Sequence, residues 1–182
     1  MKVVSVNIGG KRVLDYKGKT IETGIFKFPV DNSIVLGLED VENDVVVDRR
    51  YHGGIDQAVY AYSENHYKFW KELYPNLDWH FGMFGENLTI SNLDETEIHV
   101  GDTYKLGEVI IEATKPRQPC MTLGIVFDTQ KVLKQFWNST KSGIYFKVLE
   151  PGKVTVNDKM ILLKKSENSP TIAQVYESKK NK

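Results

Sequence analysis

A single cysteine, Cys120, occurs among the 182 residues. An intramolecular disulfide is therefore impossible, as is a structural zinc site of the Cys-x-x-Cys kind. An excess of one charge is missing too: 24 basic side chains balance 24 acidic ones. That balance differs from the strongly basic footprint of a dedicated nucleic-acid binder. It leaves room for a local basic pocket, because net charge says nothing about distribution. No stretch approaches the roughly 18 consecutive apolar residues that span a bilayer as a helix. The amino terminus, Met1-Lys2-Val3-Val4-Ser5-Val6-Asn7, lacks the apolar core and small-residue cleavage site of a signal peptide. The expectation is a soluble cytoplasmic protein with neither a nucleic-acid nor a membrane partner.

Reaction signatures are missing as well. There is no Gly-x4-Gly-Lys-Ser/Thr loop, no Gly-x-Gly-x-x-Gly fingerprint and no Gly-x-Ser-x-Gly elbow. The four histidines, His52, His66, His80 and His99, make no His-Glu-x-x-His or His-x3-His pair. P-loop, Rossmann and ordinary zinc-hydrolase readings are weak on these grounds.

What is present suits one domain with a substantial core, at 41% hydrophobic and 11% aromatic residues. Short β-branched runs punctuated by Gly, Asn and Asp predict strands at Val3–Ile8, with Lys11–Tyr16 returning as its hairpin partner. Further strands are expected at Val45–Val47, Ala58–Tyr62, Leu88–Ile90, Val109–Ala113, Gly143–Leu149, Val154–Val156 and Met160–Leu163. Many short strands at close spacing favour a barrel or sandwich over a parallel βαβ sheet. Two helices are expected. One is capped by Ser63 and stopped by Pro75, with His66, Trp70 and Leu73 on one face. The other opens near Asp128 or Thr129 and aligns Val132, Leu133, Phe136 and Trp137. Their aromatics read as packing rather than as cofactor contacts. Beyond Lys164 the chain turns polar, and residues 165–182 read as a linker and a frayed tail.

Three islands carry chemistry. In Asp48-Arg49-Arg50-Tyr51-His52-Gly53-Gly54-Ile55-Asp56-Gln57-Ala58, paired glycines allow close backbone approach to a ligand. The competing reading is a polar turn before a strand. In Phe81-Gly82-Met83-Phe84-Gly85-Glu86-Asn87-Leu88, a glycine-rich turn ends in a polar pair. It is either a ligand wall or a turn whose Asn87 caps free backbone groups. In Lys115-Pro116-Arg117-Gln118-Pro119-Cys120, the two prolines stiffen the loop and fix Arg117 relative to Cys120. A guanidinium nearby favours thiolate, the form that attacks electrophiles or ligates metals. Arg117 also has the fork geometry for phosphate or carboxylate. The alternative for a lone cysteine is a small buried apolar residue.

Together the islands resemble the MOSC domain family, named for the carboxy-terminal domain of molybdenum-cofactor sulfurase, and within it the small stand-alone, YiiM-like type. The shared pattern is His52-Gly53-Gly54 with Asp56 and Ala58, Tyr60-x-Tyr62, and Glu64 through Trp70. It continues with Phe84-Gly85-Glu86-Asn87-Leu88, Gly101-Asp102 and Pro116-Arg117-x-Pro119-Cys120. These motifs run in the family's order from about Thr23 to Leu163.

The resemblance implies a mainly β (α+β) fold, a β-barrel with a few peripheral helices over residues 1–164. It implies a cleft for molybdenum cofactor (molybdopterin), with Cys120 ligating molybdenum as a soft thiolate. Lys27 and Arg117 are the expected phosphate anchors, with Thr23 adding a hydroxyl and Gly53 and Gly54 lining the site. His52, Asp56, Glu86 and Asn87 are expected to orient substrate or deliver protons, His52 being the acid best matched to neutral pH. The implied activity is reduction of N-hydroxylated compounds, such as 6-hydroxylaminopurine-type bases, by N–O cleavage. An electron-donor protein would serve as partner. At family level pyridoxal phosphate binding is also associated. The competing readings are a non-enzymatic carrier of cofactor or sulfur on Cys120, and a metal-free thiol enzyme pairing Cys120 with His52. Longer relatives continue into a helical extension, of which residues 165–182 are expected to be a remnant.

Overall fold

The β-branched run Val3–Ile8 forms the first strand, β1, with Val3 and Val6 fully buried. Its neighbours come from far along the chain in this computed structural model, which describes residues 1–31, 33–49 and 53–180. Eleven further strands follow. They are β2 (Arg12–Tyr16), β3 (Lys19–Thr23), β4 (Phe28–Pro29), β5 (Ser33–Leu36), β6 (Val59–Ser63) and β7 (Leu88–Ile90). The later ones are β8 (Thr103–Leu106), β9 (Val109–Pro116), β10 (Ile144–Glu150), β11 (Gly152–Thr155) and β12 (Met160–Lys164). Four helices accompany them: α1 (Glu64–Leu73), α2 (Met121–Val126), α3 (Lys131–Ser139) and α4 (Ile172–Ser178).

Eight strands make one sheet in the order β12-β8-β9-β10-β6-β7-β1-β4, with β6 and β7 parallel and the other neighbours antiparallel. The expected barrel takes the form of a curled sheet. Its flanks meet where Lys2 faces Lys159, through Met160 N–H to Met1 O (3.1 Å) and Val3 N–H to Asp158 O (2.9 Å). Among the described residues no longer ladder closes it.

Two expectations need correction. The segment before Tyr16 does not return onto β1. Lys17 and Gly18 both have positive φ, 53° and 75°, the geometry of a two-residue hairpin turn, so β2 pairs with the next strand, β3. Val45–Val47 form no strand, because the neighbouring backbone is a loop that walls a cavity.

Two cores divide the apolar residues. Inside the sheet lie aliphatic side chains such as Val6, Leu88, Ile111 and Val148, with Phe146. Against its other face α1, α2 and α3 build an aromatic core. Tyr62 stacks on Phe84 at 4.2 Å and accepts the Trp70 indole N–H at 2.8 Å. Trp70 is thus a packing residue, as its helical spacing suggested. Ser63 precedes α1 as expected, but its hydroxyl makes no capping bond.

The polar, frayed tail also needs correction. Ile172, Ala173 and Tyr176 fall on one face of α4 and are buried, and Tyr176 donates to Phe136 O. The helix starts in a capping box, with the Thr171 hydroxyl accepting from Gln174 N–H and the Gln174 carboxamide from Thr171 N–H. Residues 181 and 182 lie outside the described residues. No helix is long and apolar enough to cross a membrane among the described residues.

Candidate functional site

One end of the sheet opens into a cavity of about 470 Å³. Its wall is assembled from segments the chain separates widely: the stretch after β3, the loop Val41–Asp48, the turn before β7, the loop after β9 and the start of α2. Glycine makes the first crossing possible. A Cβ on Gly24 would stand 2.0 Å from the Val45 carbonyl oxygen, so the two segments touch backbone to backbone.

The proline loop delivers the most reactive pair. Pro116 ends β9 opposite Ile144, and the chain then runs extended through Cys120, the residue before α2. Arg117 is buried, with its guanidinium 4.9 Å over the Tyr60 ring. Its Nη2 reaches the Cys120 sulfur at 4.0 Å, and the same sulfur lies 2.9 Å from the Thr122 hydroxyl. Nη1 is buried and has no partner. Burial opposes the charge on Arg117, but Tyr60, Cys120 and Tyr145 outweigh it and raise its pKa. The guanidinium is a permanent cation. Gly85, at φ 75°, keeps the space above it clear, since a Cβ there would sit 3.8 Å from Nη1.

A second polar group sits on the same wall. Lys27 is ion-paired with Asp44, both side chains being almost completely buried. Asp44 Oδ2 also accepts from the Asn87 carboxamide at 3.0 Å, while Oδ1 accepts from Gly9 N–H at 2.9 Å. Burial lowers the Lys27 pKa, and Asp44 works against that shift. Thr23 completes this side, its hydroxyl accepting from Ile25 N–H.

The structure therefore brings Thr23, Lys27, Gly53, Asn87, Arg117 and Cys120 to one cavity. It places others elsewhere. Asp56 is exposed on a 3-10 turn, Ile55–Gln57, where its backbone carbonyl accepts from Thr114. Gly54, next to that turn, is not on the wall. Glu86 is fully buried behind it and accepts from Tyr67 OH, Gly82 N–H, Phe84 N–H and Thr89 OH. Burial raises its pKa against the pull of those donors. With four donors directed at it, Glu86 shapes the turn that carries Asn87. His52 lies outside the described residues.

Asp44, Tyr60, Thr122 and Tyr145 also line the cavity without having been singled out from the sequence. Tyr60 stands within a shared motif, which was a usable signal. Asp44 gave none, because its partner Lys27 is 17 residues away across two turns. Among the described residues no three His, Cys, Asp or Glu side chains cluster as a metal cage.

Comparison with known proteins gives a concordant picture. A profile of the MOSC domain matches residues 48–161. YflK of Bacillus subtilis, described as uncharacterized, is 36% identical over 170 residues, covering 93% of this chain and 76% of that protein. YiiM of Escherichia coli is 33% identical over 137 residues, 74% of this chain and 61% of YiiM. A protein named reductase from Gibberella moniliformis is 32% identical over 81% of this chain, which spans only 27% of that protein. The crystal structure of YiiM from Geobacillus stearothermophilus superposes with a TM-score of 0.79 at 28% identity, covering 96% of this chain and 81% of that one.

Proposed function

The chain belongs to the MOSC domain family, and from that premise we propose that it is a molybdenum-cofactor oxidoreductase that reduces N-hydroxylated compounds. The observation that carries the reading is the unpartnered, buried Arg117 Nη1 on the same cavity wall as the Cys120 sulfur. A cofactor with a sulfur-ligated metal at one end and a phosphate at the other needs a soft ligand and a cationic donor. Those two groups stand 4.0 Å apart at their nearest atoms. An orphaned buried donor costs about 1–3 kcal/mol unless a ligand satisfies it. The donor set therefore fits the group.

In this reading Cys120 ligates the metal and Arg117 holds the phosphate, with Thr23 and the Gly53 backbone beside it. The cofactor would supply the two-electron chemistry that cleaves the N–O bond. The overall change is R–NHOH plus two electrons and two protons to R–NH₂ plus water. The chain's own work is to bind, orient and supply protons. Asn87, fixed by Asp44, presents its carboxamide to the cavity and orients the substrate. His52 is the proposed proton donor, having the side chain best matched to neutral pH. Tyr60 and Tyr145 wall the site with neutral phenols, burial having raised both pKa values. A separate electron-donor protein is the proposed partner. The family name, the sequence similarity to YiiM and the reductase name of one relative support this reading.

The test is purification from a host that makes molybdenum cofactor, metal analysis, and then reduction of 6-hydroxylaminopurine with an artificial electron donor. Molybdenum together with turnover is expected. Well-folded protein without molybdenum contradicts the proposal, and bound molybdenum without reduction of any N-hydroxylated substrate favours the carrier.

A further inference from the structure

We propose that Asp44 sets the anion affinity of the cavity: it holds Lys27 and Asn87 in place and competes with an anionic ligand for the Lys27 ammonium. The inference rests on the reading that the cavity takes a group bearing phosphate. Among the described lining residues the cations are Lys27 and Arg117 and the acids are Glu22, Asp44 and Asp48. The two cations are not equivalent. Arg117 leaves a buried N–H unpartnered, whereas Lys27 already has a buried counter-ion. Its position is fixed from both sides. A Cβ on Gly9 would meet Phe26 O at 2.4 Å and Lys27 Cγ at 3.2 Å, and one on Gly82 would meet Lys27 O at 2.5 Å. The backbone at Lys27 therefore cannot shift to find a new partner.

Asp44 is equally committed. Its three bonds tie three segments together: Lys27, Asn87 before β7, and Gly9 after β1. The Val45 N–H to Gly9 O bond at 3.0 Å anchors the same loop. A carboxylate on Lys27 occupies the position an incoming phosphate oxygen would take, and it repels that phosphate. Burial makes both effects larger than they would be in water.

The measurement is titration of cofactor-free protein with inorganic phosphate by calorimetry, which reads the cavity whether or not the metal reading holds. Asp44→Asn keeps the shape, frees Lys27 and removes the repulsion. It is expected to bind phosphate about tenfold more tightly, roughly 1.4 kcal/mol. Lys27→Met combined with Asp44→Asn removes both charges together. It is expected within about threefold of wild type, because the pair is neutral as it stands. A loss of structure alone would lower affinity and could not produce the gain. Should Asp44→Asn fail to fold, the double variant decides. Phosphate affinity no higher in Asp44→Asn, a tenfold loss in the double variant, or no phosphate binding by wild type at millimolar concentration overturns the proposal. Failure of the metal analysis with the affinity gain intact would instead isolate the fault in the cofactor reading.

Discussion

Arg117 and Cys120 are three residues apart in the sequence and share one cavity wall, so a reader of the sequence had them both. The reason is local: two prolines fix the backbone between them, and little of the remaining fold is needed to bring them together. Cys120→Ala is expected to abolish metal retention and turnover while shifting the unfolding midpoint little, since the side chain is small and half-exposed. Metal analysis beside a urea titration checks both parts. Arg117→Ala is expected to lower molybdenum occupancy as well, and unchanged occupancy would count against a phosphate anchor. Glu86 was legible as important but not in kind. Its four donors make it a structural keystone, and Glu86→Ala leaves them unpaired in the interior. A loss of about 3 kcal/mol or more is expected in urea unfolding. Asp44 was illegible because its partners come from three distant segments.

Among the elements, the strands with β-branched runs were readable, and β1, β6, β7 and β9 lie where the pattern placed them. The chain after Lys164 was not, because its charged composition masked three apolar residues at helical spacing in α4. A capping signature was nevertheless present in Thr171 and Gln174. Thr171→Ala is expected to cost about 1 kcal/mol of stability, visible as a lower urea midpoint. The link between β12 and α4 is held by Asp102, which accepts from Ser166 N–H, His99 N–H and the Lys165 ammonium. Burial works against its ionisation, yet these donors hold the carboxyl below its ordinary 3.8. A lowered folded pKa contributes stability above the ordinary value and loses it as pH falls through the folded one. Asp102→Asn is therefore expected to be less stable than wild type near neutrality by about 1–3 kcal/mol. The gap should close progressively below pH 3.8. A gap that widens in acid would contradict this.

At the scale of the whole molecule, strand density showed that the fold was mainly β, while closure and strand order were out of reach of periodicity. Order depends on which distant strand buries which face, and β1 pairs with β7 and β4 rather than with its sequence neighbour β2. That same long-range pairing brings the cavity together from five segments. Function depends on what the assembled cavity holds, and the most direct measurement is the molybdenum content of wild-type protein purified from a cofactor-producing host, read beside Cys120→Ala. Molybdenum in wild type and none in the folded variant is the expected result; folded wild-type protein without molybdenum, or equal metal in both proteins, would contradict a thiolate-held cofactor.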